Sequence, residues 1–427
     1  MTPRDLAAER HTLANGLRVV LHRDPFLPLV AINLWVHVGS KDERPGRTGF
    51  AHLFEHMLFQ GSAHVGTNDH FRHVQRVGGV ANGSTWYDRT NYYETLPAHA
   101  LDLGLWLESD RMGFLLEAMT AEKLRTQRDV VINERRQRVD NQPYGRALER
   151  LHEMLYPADH PYHWPVIGYL EDIAAATLAE VEEFFRAHYV PANTVLTLAG
   201  DLQPDDALRR VERYFGEIPA SPRPSRPAPR PLPAPAAARE VLPDRVELPR
   251  VHLGFRLPGY GEREWYAASL LAVALSGGKS SILYRDLVYD RQIAKDVAVY
   301  VFPTELAATL ALVATARPGV AAAELEEALG EHLEQAGREL GAEEVERARN
   351  RVLTSYAEDV EALDRRADLL SQYTTLFDDP GHLEVELATY RQLAAADLVQ
   401  TAAVHCRPDR AVVVTVEPAG VAAGSSA

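Results

Sequence analysis

The chain repeats itself, and this limits what it can fold into. The run AHYVPANTVLTLAGD, 187–201, returns as VHCRPDRAVVVTVEP, 404–418; each has His, then Pro three residues on, then a β-rich stretch. A helix-like segment precedes each copy (178–187 and 395–404), and strand-like segments stand near the two starts (30–38 and 251–257). The separation holds at about 216–221 residues throughout, and self-similarity at a fixed spacing argues for two domains of one fold. Between the copies, residues 217–243 carry nine of the 27 prolines. Such a run favours extended polyproline geometry and reads as a semi-rigid linker. The expected organisation is a first domain over 1–216, a linker over 217–243 and a second domain over 244–427, in keeping with a length of 427 residues.

Each half mixes strands and helices. Segments 17–22, 31–38, 92–96 and 194–199 read as strands by β-branched content and alternation. Segments 49–60, 68–77, 98–117, 121–139, 144–155 and 178–187 read as helices. Helices cluster after hairpin-like strands instead of alternating strictly with them, which favours an α+β fold.

The chemistry concentrates in His52-Leu53-Phe54-Glu55-His56, within an apolar stretch that has no Pro or Gly between Ala51 and Gln60. Residues three and four apart share a helix face, so two imidazoles and a carboxylate project together. H-x-x-E-H is the inverted zincin pattern, able to hold zinc through two histidines with a carboxylate beside the bound water. The competing reading is an amphipathic helix whose polar face carries these residues by chance. A catalytic zinc needs a third protein ligand from elsewhere. Glu134, in the Pro- and Gly-free segment 121–139, is the candidate; its alternative is a salt bridge with Arg135, Arg136 or Arg138.

At this point the sequence resembles the inverted-zincin peptidases of pitrilysin, insulin-degrading enzyme and the mitochondrial processing peptidase, and most of all the zinc-bearing subunit of the short bacterial two-chain enzymes. HLFEH followed 78 residues later by the Glu of VVINE carries the likeness, with Asn82-Gly83-Ser84-Thr85, Thr90, Tyr92, Gly168-Tyr169, YVPAN at 189–193 and AGD at 199–201. The resemblance implies two α/β sandwich halves, each a mostly antiparallel sheet with helices on one face. It implies one Zn2+ held by His52, His56 and Glu134, with Glu55 as general base. Relatives often carry a supporting Glu seven residues before the third ligand; here Gln127 stands there, and Asp129 or Glu122 are the compensating candidates. It also implies that a strand at Ala81, Asn82, Gly83, Ser84 and Thr85 pairs with an extended peptide substrate. Asn82-Gly83 reads equally well as a hairpin turn.

Aligning Gly61 with Gly277 sets Ala268, Leu271 and Ala272 opposite His52, Glu55 and His56. The second half keeps the helix and loses the ligands. Relatives that act alone place an Arg and, seven residues on, a Tyr after a segment like 280–284; here Val288 and Lys295 occupy those positions. The resemblance therefore implies a heterodimer whose homologous non-zinc partner supplies that pair, or failing that a homodimer; Arg285, Arg291 or Lys295 as substitutes is the alternative. The expected activity is zinc-dependent endopeptidase action on short or unfolded peptides. The rivals are a non-catalytic structural or assembly subunit and a dedicated precursor-maturation protease.

Other features narrow the field. A net charge of −15 disfavours nucleic acid as a partner. Cys406 is the only cysteine; no internal disulfide is possible, and the thiol reads as a small packing residue. No stretch approaches the ~18 apolar residues of a membrane span, and the first ten residues lack a signal-peptide core, so a cytoplasmic location is expected. Ser276–Ser280 lacks the first Gly of a phosphate loop, Val273 standing in its place. His70 and His73 read as surface helix residues, and His160 and His163 as loop and packing residues.

Overall fold

The computed structural model describes residues 6–226, 232–233 and 235–419. Contacts divide the chain into two units, neither of them contiguous. One comprises Met1–Arg135, Trp164–Ala228 and Tyr356–Glu386; the other Arg136–His163, Pro229–Ser355 and Leu387–Ala427.

The first unit is built on a six-stranded sheet of β1 (Glu9–Thr12), β2 (Arg18–Arg23), β3 (Leu29–Val36), β4 (Val80–Thr85), β5 (Thr90–Pro97) and β6 (Thr194–Gly200). Its order is β1-β2-β6-β3-β5-β4, antiparallel except for the β2–β6 pair. β3 is apolar except for Asn33, because both its faces are covered. Val30, Ile32, Leu34 and Val36 join the main core, beneath helices that include α1 (Phe50–Met57), α2 (Asp69–Arg76) and α3 (Leu101–Phe114). Ala31 and Trp35 face the opposite way and pack with Ala367 and Leu370 of the helix Leu363–Leu376. A helix from late in the chain thus closes the outer face of the sheet.

The second unit has the matching five-stranded sheet: β7 (Ala238–Asp244), β8 (Arg250–Leu257), β9 (Ala294–Val301), β10 (Ala308–Ala316) and β11 (Val412–Pro418). The order is β7-β11-β8-β10-β9, with β7–β11 the parallel pair. With β7 set against β2, β11 against β6 and β8 against β3, the order of the first sheet recurs, so the repeat in sequence is a repeat in topology. Here the exchange runs the other way. α5 (Ala147–Leu155), which follows α4 (Ala121–Arg135), lies against β8 and β11. Gly254 makes the approach possible: any Cβ there would meet Leu151 and Leu155 at under 3 Å.

Two boundaries differ from expectation. Residues 238–243 of the stretch read as linker belong to β7, whose Pro243 is tolerated because β7 is an edge strand. Residues 227–231 and 234 of that stretch lie outside the described residues, as do residues 1–5 of the N-terminus. The helix read over 121–139 is α-helical to Arg135 and then widens into a π turn, Arg136–Asp140.

Candidate metal centre

α1 is short, and its start is fixed from outside. Gly49 takes φ +83° at its N-cap, and the half-buried Glu43 carboxylate accepts the Gly49 and Ala51 amides, both at 2.8 Å. These amides are among the orphan donors of a helix start, and an anion suits that end of the helix dipole. Burial raises the Glu43 pKa well above the ordinary carboxylate value, against the two amide bonds. Phe50, Leu53, Phe54 and Met57 are buried, each contributing about 2 kcal/mol of apolar burial. Phe54 stacks on Phe185 at 5.4 Å between ring centroids and touches Tyr189 at 4.8 Å.

That packing leaves His52, Glu55 and His56 on the half-buried side of α1. The third donor arrives on α4, whose Leu124, Gln127 and Val131 are buried. Gly168 explains part of the register. Its φ is +79°, and a Cβ there would collide with the Gly49 backbone. Its carbonyl accepts Arg135 Nη1 at 2.8 Å. One glycine thereby ties the start of α1 to the end of α4.

Glu134 Oε2 lies 3.1 Å from His56 Nε2 and 3.8 Å from His52 Nε2. One donor atom from each of the three residues lies within 4.8 Å of the others. Two neutral nitrogens and one carboxylate oxygen this close fit a first-row divalent cation, zinc above all, with a further position left for water. Glu55 sits beside this set. Its Oε2 accepts the Thr85 hydroxyl at 2.7 Å. Burial raises its pKa, while the Thr85 bond and the nearby His56 and Arg89 act the other way.

Ala81 to Thr85 are not a turn. Asn82 and Gly83 lie inside β4, opposite Tyr93 and Tyr92, and the hairpin reverses at Trp86–Arg89, where the Trp86 amide donates to the Arg89 carbonyl at 2.8 Å. β4 is the edge of its sheet. It crosses α1 at Gly83, where a Cβ would stand 3.1 Å from Glu55 Cγ. Of the residues considered as support for the ligands, Gln127 is buried on α4, while Glu122 and Asp129 are exposed.

The sequence offers no signal for Glu43, remote from the motif, nor for Arg89 and Asp368. Arg89 Nη1 donates to the Ser84 carbonyl and hydroxyl at 2.8 and 2.5 Å. Asp368 accepts Asn91 from 277 positions away. The reading of His70 is corrected: it is buried, its Nε2 3.5 Å from Glu94, near Glu108. Arg111 closes this cluster by gripping both Glu108 oxygens and stacking over Tyr92 at 4.4 Å. With that cation already in place, the group is a buried Arg111–Glu108 ion pair with His70 and Glu94 packed beside it. Cys406 is buried, and its thiol is pushed up to about 12. In the second unit Val288 is buried, Lys295 is exposed on β9, and Arg291 pairs with Asp286 and Glu331.

Sequence comparison agrees with the fold. The family description "Insulinase (Peptidase family M16)" matches residues 18–163, and "Peptidase M16 inactive domain" matches 175–352. The zinc protease PqqE of Helicobacter pylori is 27% identical over 415 residues, 96% of this chain and 93% of the relative. An uncharacterised zinc protease of Mycobacterium tuberculosis is 32% identical over 294 residues, 68% of this chain and 66% of its own length. The crystal structure of a protease from Helicobacter pylori superposes with a TM-score of 0.90, covering 96% of this chain and 99% of that one at 27% identity. The fold also matches a periplasmic protease, PqqL of Escherichia coli, with a TM-score of 0.75, over 97% of this chain and 48% of that one at 20% identity. The chain belongs to the M16 family of pitrilysin-type peptidases, as the motif-borne resemblance implied. Among the described residues, no helix is long and apolar enough to cross a membrane.

Proposed function

We propose that this chain is a zinc-dependent endopeptidase acting on short or unfolded peptides, and the zinc-bearing member of a heterodimer. The observation that carries the first part is the meeting of His52, His56 and Glu134 donors beside Glu55, which lies one residue from a ligand yet points its carboxylate at Thr85. The zinc-protease names of the relatives support the same metal. Bound to the two imidazoles and Glu134, zinc would polarise a peptide carbonyl and lower the pKa of water to about 7.

The protein's own groups do the rest. An extended peptide adds to the free edge of β4, its backbone read by main-chain pairing, and this sets the scissile bond over α1. Thr85 holds Glu55 Oε2, leaving Oε1 to take a proton from the attacking water as its oxygen bonds to the carbonyl carbon. The C–N bond then breaks, and Glu55 returns the proton to the leaving amine. Gln127 supports the ligand side from α4 as a hydrogen-bonding group without charge.

The heterodimer rests on Val288 and Lys295, which supply neither the guanidinium nor the phenol found in relatives that act alone. An oxyanion donor is worth about 3–4 kcal/mol of barrier, so the zinc half alone would turn over slowly. A cytoplasmic location belongs to the same reading. The rival is a subunit that keeps the fold without catalysis, a reading favoured by the "inactive domain" likeness of 175–352. The test is zinc content together with hydrolysis of a peptide pool by the wild type and Glu55→Gln, with and without a homologous Arg/Tyr-bearing chain. One zinc per chain, and hydrolysis lost in Glu55→Gln, is expected. No metal, or equal hydrolysis by the two proteins, selects the rival.

A further inference from the structure

Asp368 lies on the helix Leu363–Leu376, which chain order places in the ligand-free repeat and the fold places on the sheet of the first unit. A single oxygen, Oδ1, accepts three side-chain donors from that sheet: Asn33 Nδ2 and Trp35 Nε1 at 3.2 Å each, on β3, and Asn91 Nδ2 at 2.9 Å, on β5. All three donors are at least nine-tenths buried. With its amide committed to Asp368, Asn91 can present only its carbonyl oxygen to β4. That oxygen accepts the Ser84 hydroxyl at 2.7 Å and Arg89 Nη1 at 3.1 Å. The same Arg89 nitrogen holds the Ser84 backbone carbonyl at 2.8 Å. Ser84 precedes Thr85, the residue bonded to Glu55. Asp368 and Glu55 are the two leading opposite charges that favour the Arg89 guanidinium, against burial.

We infer that Asp368 is a positioning residue for the peptide-binding edge. It fixes the Asn91 amide, Asn91 and Arg89 fix Ser84, and the last residues of β4 are thereby held in the extended form that a substrate strand must match. This rests on the proposed peptide pairing along β4. The role falls to a residue of the other repeat because the helix Leu363–Leu376 covers the face of the sheet on which Asn33, Trp35 and Asn91 lie side by side. An aspartate suits it because one carboxylate oxygen has lone pairs enough to take several donors. An edge strand paired on one side only has few other restraints.

The test uses the full chain, with the partner if turnover requires it, and four variants: Asp368→Ala, Asp368→Asn, Asn91→Ala and the Asp368→Ala/Asn91→Ala double. Three quantities are read: zinc content, amide exchange of residues 80–85, and affinity for an unstructured decapeptide, as KM in the active protein and as direct binding in a Glu55→Gln background. Asp368→Ala and Asn91→Ala should each weaken peptide binding about tenfold and speed exchange at Ser84 and Thr85 by a similar factor, with kcat within about threefold and zinc unchanged; this scale is that of one lost buried hydrogen bond. The double variant should be no worse than either single one, because both break the same relay. Asp368→Asn retains an acceptor oxygen and should restore binding to within about threefold. Asp368→Ala with β4 exchange and peptide affinity both at wild-type level overturns the inference, as does additivity in the double variant or an Asp368→Asn as impaired as Asp368→Ala. Failure of the peptidase reading looks different: no variant, including Glu55→Gln, then changes hydrolysis, while exchange and peptide binding still report on Asp368.

Discussion

α1 and the helix Arg263–Ser276 follow the same strand position in two copies of one sheet, yet they spend their inward faces differently. Ala268, Leu271 and Ala272 are all buried among apolar neighbours. His52, Glu55 and His56 are only half buried, and α4 and β4 leave them room to meet Glu134 and Thr85. The comparison teaches that the candidate site occupies what is hydrophobic core in the sister unit. A helix freed from packing on one face can carry chemistry, provided that its ends are held by other means. Glu43, Gly49 and Gly168 hold them here.

The comparison can be broken or sharpened in four ways. The largest effect is expected from Glu134→Ala, which should take zinc from about one per chain to none by elemental analysis and abolish hydrolysis, since two imidazoles alone are a weak site. A substantial effect should follow from writing the motif into the other helix as Ala268→His, Leu271→Glu and Ala272→His. Three polar groups would then enter a packed core, and urea unfolding should show a loss on the order of 4 kcal/mol with no second zinc. Zinc uptake by that variant would refute the claim that packing, and not the helix itself, decides.

The third concerns pH. Burial raises Glu94 to about 7 and lowers His70 to about 3. The folded state therefore holds the Glu94 proton more tightly than the unfolded state does, and its stabilising effect, complete below about 4.5, is lost as pH rises to about 7. For His70 the sign is opposite: stability present above about 6.5 is lost as pH falls towards 3. Glu94→Gln should thus gain on the wild type by on the order of 3 kcal/mol between pH 4.5 and 7, read as the difference of two unfolding curves. A pH-independent difference would mean that Arg111 already keeps Glu94 ionised. The smallest effect is expected for Thr85→Val, which removes one charge-assisted hydrogen bond from Glu55 and should lower kcat about tenfold without loss of zinc.

Much of this was legible in the sequence because it is local or periodic. H-x-x-E-H needs only helical spacing to put its three side chains together, and the 216–221 residue repeat gave both sheets their shared order. Glu134 is a candidate from its Pro- and Gly-free helical segment, and the family resemblance singles it out; nothing in its spacing alone demands it. His70 was misread because its helix looks polar, DHFRHVQR, and periodicity does not show that Glu94 and Arg111 wait beneath it. The Asn82-Gly83 turn signal was overridden by pairing with β5, so the reversal moved to Trp86–Arg89. Asp368 was invisible for a different reason. Its partners lie 277 to 335 positions away, and no local pattern encodes a helix that crosses to the other repeat.

That crossing bears on how the protein comes to exist. The six strands beneath the histidine-bearing helix are all in place by residue 200, but the helix that covers Trp35 and grips Asn91 spans 363–376 and is made much later. A chain interrupted between the two would show a bare sheet face at Ala31 and Trp35 and a loosely held β4 edge. The first unit therefore closes only after most of the second repeat has been made, which ties the folding of one repeat to the synthesis of the other.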